Sequence, residues 1–136
     1  NWIGIIDQLS STKVRQHLEG TNVPPPQFAL LNHFGHRPLE GKTVTKIAWA
    51  MQQPQPGITK TIAKMLEKDF LREEANPEDG RSKILFLTKE GARAHEKAKA
   101  RLINALDGVF DAWSEEEKRG FYGHLDKLKV YFDEHR

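Results

Sequence analysis

The sequence predicts a mainly α-helical protein with one small β-hairpin, ordered as a winged helix-turn-helix lobe between helical extensions. Three observations carry that reading. Apolar residues recur at helical spacing through most of the 136 residues. Two short strand-like runs bracket a turn cluster at Asn76–Ser82. Prolines at 24–26, 54 and 56 cut the middle into short helices and leave longer ones at the ends.

The elements follow in order. Residues 2–19 place Ile3, Ile6, Leu9, Val14 and Leu18 near helical spacing, with charged residues between them. Gly20, Asn22 and Pro24-Pro25-Pro26 end that helix and begin the next, expected from Pro26 to Phe34. A loop over 35–41 precedes a short helix at 44–52. Pro54 and Pro56 announce a fourth helix, expected over 56–69, with Ile58, Ile62, Met65 and Leu66 on its inner side. Leu71–Ala75 and Ile84–Leu87 form the hairpin around Pro77, Asp79 and Gly80. Thr88 is the expected N-cap of a helix reaching Trp113, and Ser114-Glu115-Glu116-Glu117 is a capping box opening the last one.

Composition excludes several classes of function. No run approaches the ~20 apolar residues that cross a bilayer. Charges throughout the first twenty residues leave no secretory signal, and the expected location is cytoplasmic. The chain begins at Asn1 without a starting Met, which reads as a trimmed N-terminus. Without cysteine there are no disulfides, thiolate zinc sites, cysteine nucleophiles or thiol sensors.

Net charge is only +2, but it is unevenly spread. Between Arg37 and Leu66, Arg37, Lys42, Lys46, Lys60 and Lys64 face a lone Glu40, a net +4. From Asp111 to Arg136 the balance is −2. A basic middle and an acidic end suit a protein that turns one face toward phosphate.

The second helix of a helix-turn-helix enters the major groove, so its exposed face must offer small, polar and basic groups. The stretch Gln55–Lys64 does so without a carboxylate. Gln55 can pair with adenine, Thr59 can meet a thymine methyl or a phosphate, and Lys60 and Lys64 can reach guanine or phosphate. Gly57 and Ala63 keep the face thin. At the hairpin tip, Arg81 can enter a narrow minor groove, with Asp79 placed to support the wing by holding its guanidinium in an ion pair or by pairing with a basic residue elsewhere. Lys42, Lys46 and Lys83 complete the expected DNA-binding set.

From about Pro26 to Arg101 the chain resembles the MarR family of bacterial transcription regulators. The resemblance rests on Phe28-Ala29-Leu30-Leu31, Thr43–Ala48, Pro56-Gly57-Ile58-Thr59-Lys60 and Leu66–Leu71. It rests most on Asn76–Ser82 followed by Leu87-Thr88-Lys89-Glu90-Gly91. It implies one domain over 1–136, with 25–88 as the DNA-binding lobe and 1–24 and 89–136 as helical dimerisation elements. It also implies a homodimer on a pseudo-palindromic operator with half-sites ~10 bp apart. Repression released by a small aromatic or anionic effector is common in the family; His17, Phe28 and Trp49 are the candidate pocket residues. Two departures stand out: Pro54 lacks a capping side chain where the recognition helix begins, and Asp69 replaces a glycine near its end.

Other chemistries fit less well. His33 and His36 are spaced to share a metal, but four ligands are hard to assemble from the local sequence and exposed helix-end histidines fit better, so no metal or cofactor is expected. Ser10-Ser11 lacks elbow glycines, Gly35-His36-Arg37 is no phosphate loop, and Glu115–Glu117 suit a helix start; no enzyme is expected. The alternative is a winged-helix module kept for protein contact after losing DNA binding. The basic residues at 60, 64 and 81 weigh against it.

Overall fold

The computed structural model describes residues 1–106 and 108–135. Among the described residues six helices and one hairpin follow in the expected order: α1 (Trp2–Leu18), α2 (Pro25–Gly35), α3 (Val44–Ala50), α4 (Gln55–Glu67), β1 (Leu71–Ala75), β2 (Lys83–Leu87), α5 (Lys89–Ala105) and α6 (Glu115–Glu134). Two compact units result, Asn1–Ala105 and Leu106–Arg136. Among the described residues no helix is long and apolar enough to cross a membrane.

In the first unit, the core gathers Leu18, Leu30, Leu31, Phe34, Ile47, Ile58, Ile62, Met65, Phe70 and Leu85. The inner side of α4 is as expected: Ile58, Ile62 and Met65 are buried and Leu66 packs against them from a half-buried position. Along α5, Gly91, His95, Ala98 and Leu102 are buried, a spacing of four, three and four that keeps one face on α1 and α2. Close approach is built in at Gly35, where a Cβ would lie 2.8 Å from Cε1 of His95. The His95 ring meets Asn32 Oδ1 across 2.6 Å and packs on Phe28 with ring centroids 5.7 Å apart. Burial, the largest influence, holds His95 below its ordinary pKa.

The hairpin pairs Leu71 with Leu87 and Ala75 with Lys83 in antiparallel register. Its stem is braced by the Arg72 guanidinium, which pairs with Glu74 and lies 4.5 Å over the Phe86 ring. Lys42 adds a one-residue third strand: its N–H donates to the Leu85 carbonyl and its carbonyl accepts from Leu85 N–H, both at 2.9 Å. Thr88 caps α5 as expected, its Oγ1 accepting from Gly91 N–H at 2.9 Å.

Helix α5 is shorter than the sequence suggested. The helix expected to reach Trp113 ends at Ala105, and Gly108 then adopts φ +86. A backbone in that left-handed region cannot continue a right-handed helix. Phe110, Trp113 and Phe121 pack edge to face or tilted, with centroids 5.2–6.4 Å apart. Ser114 and Glu117 form the complete capping box of α6, Ser114 N–H donating to Glu117 Oε2 at 2.7 Å. Those hydrogen bonds lower the Glu117 pKa.

Candidate nucleic-acid interface

The exposed face of α4 combines small and basic groups. Gln55, Gly57, Thr59, Lys60, Ala63 and Lys64 are all exposed, while Ile58, Ile62 and Met65 hold the opposite face in the core. The helix starts without a side-chain cap: Pro54 instead receives Gly57 N–H (3.1 Å) and Ile58 N–H (3.4 Å) on its carbonyl. Thr59 Oγ1 donates to the Gln55 carbonyl at 2.9 Å, which leaves its methyl and its oxygen lone pairs for a groove. The turn after α4 is made by Asp69 at φ +56, so an aspartate does adopt the left-handed conformation that glycine usually supplies.

Lys68 holds this helix in place. Its ammonium donates to the Asn22 carbonyl and to Gln27 Oε1, each at 2.8 Å, and lies over the Phe70 ring. Gln27 is buried, so this bond satisfies an amide that would otherwise be stranded. Burial, and secondarily Lys64, pushes the Lys68 pKa down. Sequence reasoning missed this residue, because its partners lie more than 40 positions away.

At the wing tip Arg81 is exposed, and Lys83 is exposed at the start of β2. Asp79 acts differently from expectation. Its Oδ1 accepts the Arg81 backbone N–H at 3.0 Å, and its carbonyl accepts Ser82 N–H at 3.0 Å. Among the described residues no ion pair joins Asp79 to the Arg81 guanidinium; the carboxylate shapes the turn and leaves the arginine facing solvent.

Lys42 also departs from expectation. It is only 7% exposed, with its ammonium donating to the His33 carbonyl at 3.3 Å and lying 5.5 Å from the Phe34 ring centroid. It closes the C-terminal end of α2, where a cation is favoured, instead of facing outward. Lys46 remains exposed on α3, behind Thr43, whose Oγ1 caps the helix.

Among the described residues the three candidate effector residues stand in different settings. His17 is tied to its own helix through the Lys13 carbonyl at 2.8 Å, and Phe28 packs on His95. Trp49, 67% exposed, lines a cleft of about 630 Å³ whose walls include neither of the others.

A family model described as "MarR family" matches residues 21–82. The chain is 28% identical over 96 residues to the HTH-type transcriptional regulator BilQ of Clostridium symbiosum, a match covering 71% of this chain and just under two thirds (65%) of that protein. The fold of this chain is similar to that of a MarR transcriptional regulator from Methanosarcina mazei Go1, with TM-score 0.86 at 14% identity, covering 98% of this chain and 95% of the other. The Staphylococcus aureus MepR–DNA complex is similar with TM-score 0.79 at 21% identity, covering 96% and 95%.

Proposed function

We propose that this chain is a MarR-family, sequence-selective, double-stranded DNA-binding transcriptional regulator, a reading supported by the family model that matches residues 21–82. The observation that carries the reading is the α4 face, which is basic, free of carboxylate from Gln55 to Lys64, and held in place by a buried apolar face and by Lys68. Lys46, Gln55, Gly57, Thr59, Lys60 and Lys64 form the major-groove and phosphate set; Arg81 and Lys83 form the wing set. That MepR was solved with DNA supports the same use of the fold here.

The reading includes a homodimer. On α1, Trp2, Ile3, Ile6 and Leu9 are 62–80% exposed, and in the second unit Tyr122, Leu125 and Leu128 are 41–74% exposed. Apolar faces of this size call for cover, and a second copy supplies it symmetrically. A two-fold dimer sets its recognition helices about one helical turn apart, giving half-sites ~10 bp apart. Repression in the cytoplasm, released by a small aromatic or anionic effector, completes the proposal without assigning the effector a pocket.

Selection of bound duplexes from random DNA, followed by affinity measurement across a salt series, tests this. The expected result is a pseudo-palindrome bound with a slope of log K on log salt of roughly −0.9 per phosphate contacted. No selected sequence and a flat salt response would instead mark a winged-helix module kept for protein contact.

A further inference from the structure

The cleft beside Trp49 lies at a corner between the end of α2 and the outer side of α3. It is lined by His33, His36 and Arg37 from one side and by Lys46 and Trp49 from the other. Its carboxylate, Glu40, is drawn to Arg37 at 3.3 Å. Behind it sits the buried ammonium of Lys42, which adds a fixed positive charge that solvent screens poorly. The crowding registers on His33: burial, then Lys42 and His36, lower its pKa, with only Glu40 opposing. Lys46, Arg37, two imidazoles and an exposed indole thus line one concavity, a setting suited to an anion carried on a larger apolar or sugar body.

The position of α3 identifies the anion. In a helix-turn-helix the first helix crosses the DNA backbone while the second enters the groove. Here α3 is that first helix, packed on α4, and Lys46 and Trp49 are exposed on it. We propose that this corner is a phosphate-binding subsite for the same duplex: His36, Arg37 and Lys46 hold a backbone phosphate outside the half-site read by α4, and Trp49 packs on the adjoining sugar. This rests on the DNA-binding reading above and extends its footprint to the end of α2, which the sequence had left unassigned. Exposed cations here add affinity without base preference, because phosphates carry no sequence information.

The test uses the full chain and two versions of the selected duplex, one trimmed to the palindrome and one extended on each side by about one helical turn. His36→Gln with Arg37→Gln removes the Arg37 charge and the His36 imidazole while leaving Lys46 in place. The same pair with Glu40→Gln keeps that carboxylate from becoming a repulsive neighbour. All three residues are exposed, and unchanged thermal melts verify the fold. Both variants are expected to bind the extended duplex about tenfold more weakly, with a salt slope shallower by roughly 0.9 for each phosphate lost. Binding to the trimmed duplex and the selected sequence should stay unchanged. An equal loss on both duplexes, or no loss on either, overturns the proposal while leaving the DNA-binding reading in place. If the unaltered chain selects no duplex, the reading itself fails. Inorganic phosphate titrated at constant ionic strength provides the remaining arm. Saturable shifts of the His36 ring protons, with no dependence of DNA affinity on flank length, would assign the corner to a free anion and overturn it.

Discussion

Replacing Gly57 by alanine should stabilise the protein and weaken its hold on DNA. The glycine sits in the first turn of α4, and a Cβ built there meets nothing within 4 Å. It is not among the positive-φ glycines, which are Gly20 and Gly108, so alanine fits the backbone without strain. Glycine inside a helix costs roughly 0.5–1 kcal/mol relative to alanine because it loses more freedom on folding. The substitution should therefore raise Tm by about 2–4 °C for a chain of this size. Among the described residues no neighbour meets that position, and under the proposed DNA-binding role it is where the helix face approaches bases. A methyl standing between α4 and the groove floor should weaken binding about tenfold, near 1.4 kcal/mol. Circular-dichroism melts and fluorescence anisotropy on one sample read both effects. A raised Tm with undiminished DNA affinity would show that Gly57 does not face the groove; a lowered Tm would refute the helix argument itself.

Four other outcomes follow from particular contacts. Gly91→Ala would place a Cβ 2.2 Å from the Phe70 carbonyl oxygen and 2.9 Å from Leu87 Cδ1; overpacking against backbone should cost about 1–3 kcal/mol or more in urea unfolding, and a neutral result would contradict the tight junction between α5 and the hairpin. Lys68→Met should cost about 1–3 kcal/mol, because the buried Gln27 oxygen loses its donor, with Lys68→Arg restoring part of it. Arg81→Ala should remove about 1–3 kcal/mol of DNA affinity while leaving the melt unchanged; equal binding would exclude the wing tip from the complex. Burial keeps His95 below its ordinary 6.5, and His33 likewise, so as pH falls through that value the unfolded chain binds protons first. Stability is then full above about pH 6.5 and declines below it, and His95→Gln should flatten part of the fall in Tm between about pH 7.5 and 5; a Tm that rises on acidification would reverse the assignment.

Much of the fold was legible in short stretches of sequence. The Ser114–Glu117 box and the Thr88 cap appear in the structure as read, because a cap is satisfied within three residues and needs no distant partner. The hairpin was equally plain from its turn residues, and its first strand has the bounds expected. The end of α5 was not. A lone Gly108 inside a helical pattern can be tolerated or can break the helix, and only the adopted φ of +86 shows that it breaks. Asp69 was legible as a departure but not as a conformation, since the left-handed backbone there is set by how β1 must leave α4.

By itself, then, the sequence determined the kinds and order of the elements, their caps and turns, and the carboxylate-free stretch that marks α4. These depend on neighbours within about one helical turn. Only the tertiary structure decided which charges face outward. Lys42 and Lys46 are four residues apart and chemically alike, yet the first is drawn inward by pairing with Leu85 and the second is left on the surface. Lys68 was likewise indistinguishable from any helix-end lysine until folding brought Asn22 and Gln27 to it. A lysine's role depends on what the fold places within about 3 Å of its ammonium, and that distance is not encoded in local periodicity.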